Sequence, residues 1–135
     1  MNISKYQFSQ KYHIQIDVRV PMRDGVTLST DVYLPSKEGT FPTMLVRTIY
    51  DNQNENHMVT TKGFLDEGYA VAMQDCRGRF DSHGEFNPYY QEAEDGYDTQ
   101  EWIGSQSWCD GNIGMFGGSY VGYTQSLTAP LRSKY

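Results

Sequence analysis

The chain has little that would tie it to a nucleic acid, a membrane or a metal. Eleven lysines and arginines stand against seventeen aspartates and glutamates in 135 residues, a formal net charge of −6. The basic residues form no cluster that could follow a phosphate backbone, so no nucleic acid and no anionic membrane surface is expected as a partner. No apolar run approaches the length of a bilayer, and the first ten residues lack the apolar centre of a signal peptide, so a cytoplasmic setting is expected. Cys76 and Cys109 form no CxxC pair, and two cysteines in a chain of this size are no disulfide framework. His13, His57 and His83 are widely spaced with no cysteine nearby, so no metal site and no cofactor are expected. Internal repeats and low-complexity linkers are absent as well.

What is present is a globular composition, 38% hydrophobic and 14% aromatic, sufficient for one core. Residues 1–11 are read as an N-terminal tail and 12–135 as one domain. Over 13–21, Ile14, Ile16, Val18 and Val20 alternate with polar residues as in a half-buried strand. Asp24-Gly25 then favours a tight turn, and 27–34 alternates again, which predicts an antiparallel hairpin. After Pro35 the pattern changes. The continuous apolar run over 42–48 and the similar run over 69–74 suit strands covered on both faces. Between them, 57–67 places Met58, Phe64 and Leu65 at helical intervals, with Gly68 as its stop. Residues 92–103 form a second predicted helix, its acidic start (Glu92, Glu94, Asp95) matched to the helix dipole and Tyr97, Trp102 and Ile103 on its apolar side.

The run Asn112-Ile113-Gly114-Met115-Phe116-Gly117-Gly118-Ser119-Tyr120-Val121-Gly122 is an apolar strand that breaks on glycines at a serine and resumes as a helix over 120–129, ended by Pro130. A plain glycine-rich strand-to-helix turn is written this way, and so is a nucleophile elbow, in which small neighbours lift Ser119 Oγ above the sheet and the next helix aims its free N–H groups at an oxyanion. The order hairpin, strand, helix, strand, helix, strand, serine turn, helix predicts an α/β fold: a mostly parallel sheet with helices on both faces, ligands binding at the carboxyl ends of the strands. Ser119 falls at such an end, which favours the functional reading. A phosphate-cradling loop fits less well, because no lysine follows the glycines and Ser119 breaks the G-x-G-x-x-G spacing.

Five motifs in register carry a resemblance: Val20-Pro21-Met22-Arg23-Asp24-Gly25 with Asp31-Val32-Tyr33-Leu34-Pro35; Arg47-Thr48-Ile49-Tyr50-Asp51; Asp75-Cys76-Arg77-Gly78-Arg79-Phe80-Asp81-Ser82-His83-Gly84; Asp95-Gly96-Tyr97-Asp98; and Trp108-Cys109-Asp110-Gly111 running into the serine turn. They resemble the N-terminal part of the CocE/NonD-type serine hydrolases, the group of α/β-hydrolases holding cocaine esterase, X-prolyl dipeptidyl-peptidases and α-amino-acid ester hydrolases. The resemblance implies that Ser119 is the acyl-accepting nucleophile, in an elbow made with Gly117, Gly118 and Gly122. It implies two oxyanion donors, the Tyr120 main-chain N–H and the Tyr50 hydroxyl. The implied substrate is a small-molecule ester or amide or a short peptide. The loop over 75–86 is read as architecture, with Arg77–Asp81 or Arg79–Glu85 pairs closing it.

A serine needs a base, and the base an orienting acid. In this fold both follow the serine in the chain, which excludes His83, and the sequence runs only sixteen residues past Ser119. The expectation is therefore a partial α/β-hydrolase domain, inactive at this length, whose nucleophile strand has an open apolar edge. That edge would favour self-association or a complementing chain. The other reading is a non-catalytic remnant or subunit whose sheet a partner completes.

Overall fold

The computed structural model describes residues 5–135. Strands β1 (His13–Pro21) and β2 (Thr27–Leu34) form the antiparallel hairpin, turned at Gly25 with φ +86°. β3 (Phe41–Thr48), β4 (Ala70–Asp75) and β5 (Cys109–Met115) complete a five-stranded sheet of order β1-β2-β4-β3-β5. β2 runs antiparallel to β4, whereas β3 lies parallel to both β4 and β5. The sheet is therefore mixed: the opening hairpin contributes two antiparallel pairings, and the strands after it pair in parallel as expected. β5 is an outer strand whose one neighbour among the described residues is β3.

Helices cover both faces. Met58 and Leu65 of α2 (Glu55–Asp66) pack with Val46, Val71 and Met73 on one face, and Val121 of α4 (Tyr120–Thr128) joins them. On the other face Ile103 of α3 (Glu92–Gly104) packs against Leu45 and Ala72. A fully buried Leu or Val of this kind contributes about 1.5–3 kcal/mol. α3 and α4 cross closely at Gly96, where a Cβ would fall 2.0 Å from Thr128 Oγ1. A 3₁₀ turn, Ala129–Leu131, follows α4 around Pro130. No helix of the described residues is long and apolar enough to cross a membrane.

Three features depart from expectation. The stretch read as a tail is helical over Lys5–Lys11 (α1), and Phe8 is buried with its ring 5.3 Å from that of Tyr12 and 6.2 Å from that of Tyr33. The even alternation of β1 is broken by a bulge between Gln15 and Val18, with Asp17 at φ +54°. The bulge turns Ile16 outward, 51% exposed, while Ile14, Val18 and Val20 still pack inward. On α3 the inner face is largely polar: Glu92, Asp95 and Thr99 are buried, so the acidic start serves more than the dipole.

Candidate active site

β5 ends at Met115, and the next four residues reverse the chain into α4. Gly117 has φ +132°, and a Cβ there would lie 2.4 Å from Val121 Cγ1, so glycine is required both for conformation and for space. Ser119 has φ 57° and ψ −132°, a strained main chain for a residue with a Cβ. Its carbonyl accepts the N–H groups of Gly122 at 2.9 Å and Tyr123 at 3.2 Å, which starts α4. Its hydroxyl makes no capping bond. Oγ is thereby left exposed at the carboxyl end of β5, as an elbow requires. The other two glycines are less constrained: a Cβ at Gly118 meets nothing within 4 Å, and one at Gly122 meets only the Gly117 carbonyl at 3.6 Å.

The hydroxyl of Tyr50 lies 3.3 Å from Ser119 Oγ across a separation of 69 residues. Tyr50 is 44% exposed, and its main chain is held by hydrogen bonds. Its N–H donates to Thr48 Oγ1 at 2.9 Å and its carbonyl accepts from Asn54 Nδ2 at 3.3 Å. On either side, Ile49 O accepts from Arg79 Nη2 at 3.3 Å and the Asn52 N–H donates to Asp75 Oδ1 at 2.8 Å.

Tyr120 begins α4, so its main-chain N–H is among those with no carbonyl partner inside the helix. Its side chain anchors the elbow from below. The phenol donates to Glu92 Oε1 at 2.9 Å and accepts the Tyr89 N–H at 3.0 Å, and burial pushes it above the ordinary phenol range. Glu92 Oε2 accepts from Arg47 Nη1 at 2.7 Å, and the fully buried Arg47 also donates to Gln74 Oε1 at 2.8 Å. A polar network thus runs under the sheet end from β4 through β3 and α3 to the nucleophile turn. Sequence spacing concealed it, because Arg47 and Glu92 are 45 residues apart.

The loop after β4 is closed by other partners than expected. Arg77 makes a two-pronged pair with Asp95 at 2.9 and 2.7 Å and reaches Asp24 at 2.7 Å, rather than Asp81. Arg79 holds Ile49 O rather than Glu85. Both guanidiniums pull the loop toward elements distant in sequence, and the Arg77–Asp95 pair is buried. Asp75 was not singled out by the sequence, yet burial raises its carboxyl to about 6.

Among the described residues the hydrogen-bonding contact of Ser119 Oγ is Tyr50. His83 Nδ1 sits 3.0 Å from Thr27 Oγ1, at the start of β2, and His13 lies beside Gln15. His57 lines a cavity of ≈ 240 Å³ with Tyr50, Phe64, Phe116, Gly117 and Val121, and burial lowers its pKa so that the neutral ring is favoured. No group of three His, Cys, Asp or Glu residues among the described residues is placed to hold a metal ion. The arrangement offers an exposed hydroxyl on a strained turn, a phenol aimed at it, and the open N–H groups of a helix start.

The profile of the X-Pro dipeptidyl-peptidase (S15) family matches residues 24–134. Cocaine esterase of Rhodococcus sp. (strain MB1 Bresler) is 47% identical over 118 residues, covering 84% of this chain and 21% of that protein. A CocE/NonD family hydrolase from Staphylococcus aureus superposes with a TM-score of 0.79 at 30% identity, over 89% of this chain and 25% of that one. An α-amino acid ester hydrolase superposes at 0.76 with 29% identity, over 87% of this chain and 23% of that one. The chain spans about a fifth of the length of the curated relatives it matches. Its sheet and helices match the N-terminal part of the α/β-hydrolase fold in these structures. With the family profile matched over most of its length, the chain belongs to the X-Pro dipeptidyl-peptidase (S15) family.

Proposed function

We propose that these residues form the nucleophile and oxyanion half of a serine hydrolase acting on esters or amides through an acyl-enzyme. The observation that carries the reading is the Tyr50 hydroxyl 3.3 Å from an Oγ freed by the turn at Ser119. In the reaction Ser119 Oγ attacks the substrate carbonyl carbon, and its proton passes to a base. The carbonyl π pair moves onto oxygen, and that oxyanion receives hydrogen bonds from the Tyr50 O–H and the Tyr120 N–H. Collapse expels the alcohol or amine with the proton from the base, and water repeats the sequence to release the acid. On this reading the base and its orienting acid are not among the described residues, whose hydrogen-bonding contact to Ser119 Oγ is Tyr50, and the 135 residues alone should turn over no ester. The identity to cocaine esterase favours a small-molecule ester over an X-prolyl peptide as substrate. Free Cys76 and Cys109 accord with a cytoplasmic setting.

The experiment is turnover of a nitrophenyl ester by protein carrying the complete catalytic domain. Ser119→Ala should abolish it with the fold intact; normal turnover by that variant would end the proposal. A second reading rests on β5 having β3 as its one neighbour among the described residues: the open edge is completed by another polypeptide or by a second copy. A concentration-dependent mass in sedimentation would favour it, and a monomer at all concentrations would remove self-association.

A further inference from the structure

Asp75 carries a buried carboxylate with no cation beside it. It is 0% exposed, and among the described residues no lysine, arginine or histidine pairs with it. Instead Oδ1 accepts the main-chain N–H of Asn52 at 2.8 Å and Oδ2 accepts that of Asp81 at 3.3 Å. The first N–H belongs to the loop between β3 and α2, two residues after Tyr50. The second belongs to the loop after β4. The remaining contacts of Asp75 tie the same two loops to the sheet end: its carbonyl accepts from Ser82 Oγ at 2.6 Å, and the next N–H, of Cys76, donates to Thr48 O at 2.8 Å. Thr48 in turn holds the Tyr50 N–H.

From this geometry we propose that Asp75 is a positioning residue for the Tyr50 hydroxyl, its ionised carboxylate clamping the Tyr50 loop to the loop after β4. The proposal rests on the reading of Tyr50 as oxyanion donor. An anionic carboxylate accepts strongly at both oxygens, whereas in the protonated group one oxygen carries the O–H and is the poorer acceptor. Protonation therefore weakens one side of the clamp. The surroundings bring that event into the working pH range. Burial raises the carboxyl to about 6, and the acidic neighbours Asp51, on the Tyr50 loop, and Asp81, on the other, add to the rise. The Asn52 and Asp81 N–H groups oppose the rise, because they hydrogen-bond the anion, and no cation joins them. Arg79 is engaged with Ile49 O, Arg47 of β3 with Glu92 of α3, and Asp31 of β2 accepts from the Asp17 N–H. The Cys76 thiol is pushed up to about 12 and stays neutral, and His57 of α2 faces Asp51. A buried charge held by main-chain donors at a functional loop, at a cost to stability, is the pattern of a group retained for its site.

The test is an NMR titration of the isotopically labelled 135-residue chain between about pH 4.5 and 7.5. The Asn52 and Asp81 amide resonances should move together with a midpoint near the Asp75 carboxyl value of about 6, and the Tyr50 ring resonances should follow. In Asp75→Asn all three should be flat. The wild-type titration stands alone if the variant unfolds. A flat Asn52 amide in the wild type, or a moving Asn52 with a motionless Tyr50 ring, would overturn the proposal. Coupled movement combined with full turnover by Tyr50→Phe in the complete domain would support the clamp and remove the donor role of Tyr50 instead.

Discussion

Two glycines flank Ser119 within a few residues, and substituting each by alanine should move stability in opposite directions. At Gly117 the added Cβ lies 2.4 Å from Val121 Cγ1 and 2.9 Å from Val121 Cβ, and φ is +132°. Val121 is 4% exposed in the core and cannot turn away without shifting α4. The positive φ costs about 1–3 kcal/mol and the overpacking a similar amount, so Gly117→Ala should destabilise by about 2–6 kcal/mol. At Gly122 the nearest atom is the Gly117 carbonyl at 3.6 Å, an ordinary contact, and the residue is inside α4. There alanine should gain up to about 1 kcal/mol from helix propensity. Urea denaturation of the 135-residue chain at fixed protein concentration reads both values. Pairing Gly117→Ala with Val121→Ala should give a favourable coupling of about 1 kcal/mol or more, because part of the clash goes with the valine methyls. A Gly117→Ala variant within about 0.5 kcal/mol of wild type, or a clearly destabilised Gly122→Ala, would refute this account of the elbow.

Other expectations follow from the same contacts. Tyr50→Phe in the complete domain should lower kcat by about 10²–10³ with little change in KM, since the phenol acts on the oxyanion rather than on bound substrate; unchanged kcat would remove it from the site. Glu92→Ala removes the carboxylate 2.7 Å from the buried Arg47 guanidinium, leaving it Gln74 and Asp95 at 4.0 Å, and frees the Tyr120 hydroxyl, so thermal unfolding should show a loss of about 3 kcal/mol. A loss below about 1 kcal/mol would mean that water replaces the carboxylate. Because the folded protein raises Asp75 above its ordinary 3.8, it holds that proton more tightly than the unfolded chain does. The stability so gained is full below about pH 3.8 and lost as pH rises to about 6, roughly 3 kcal/mol in all. The stability difference between wild type and Asp75→Asn should therefore change across that window, and a constant difference would count against a raised carboxyl.

The elements and the serine turn were legible because their signals are local. Asp24-Gly25 marks the hairpin, Gly68 and Pro130 mark helix ends, and the glycines around Ser119 announce the reversal. Tyr50 was legible only through its resemblance to a family motif, since nothing in its neighbourhood shows that its hydroxyl meets a serine 69 residues later. The ion pairs were not legible, and spacing misled: Arg77 has Asp81 four residues away, yet the fold brings Asp95 and Asp24 to it. Buried pairs are selected by which strand ends and helix faces meet, and that is a property of the sheet order. The β1 bulge was hidden for a similar reason, because Asp17 leaves the alternation to bond with Ser29 and Asp31 of the neighbouring strand.

The central claim is that Ser119 is the nucleophile, and covalent capture tests it most directly. Protein carrying the complete catalytic domain is treated with a fluorophosphonate and the adduct is mapped by peptide mass spectrometry. Phosphonylation at Ser119, lost in Ser119→Ala and slowed in Tyr50→Phe, is the expected result. Labelling at another serine, or no labelling of an enzyme that turns over ester, would contradict it.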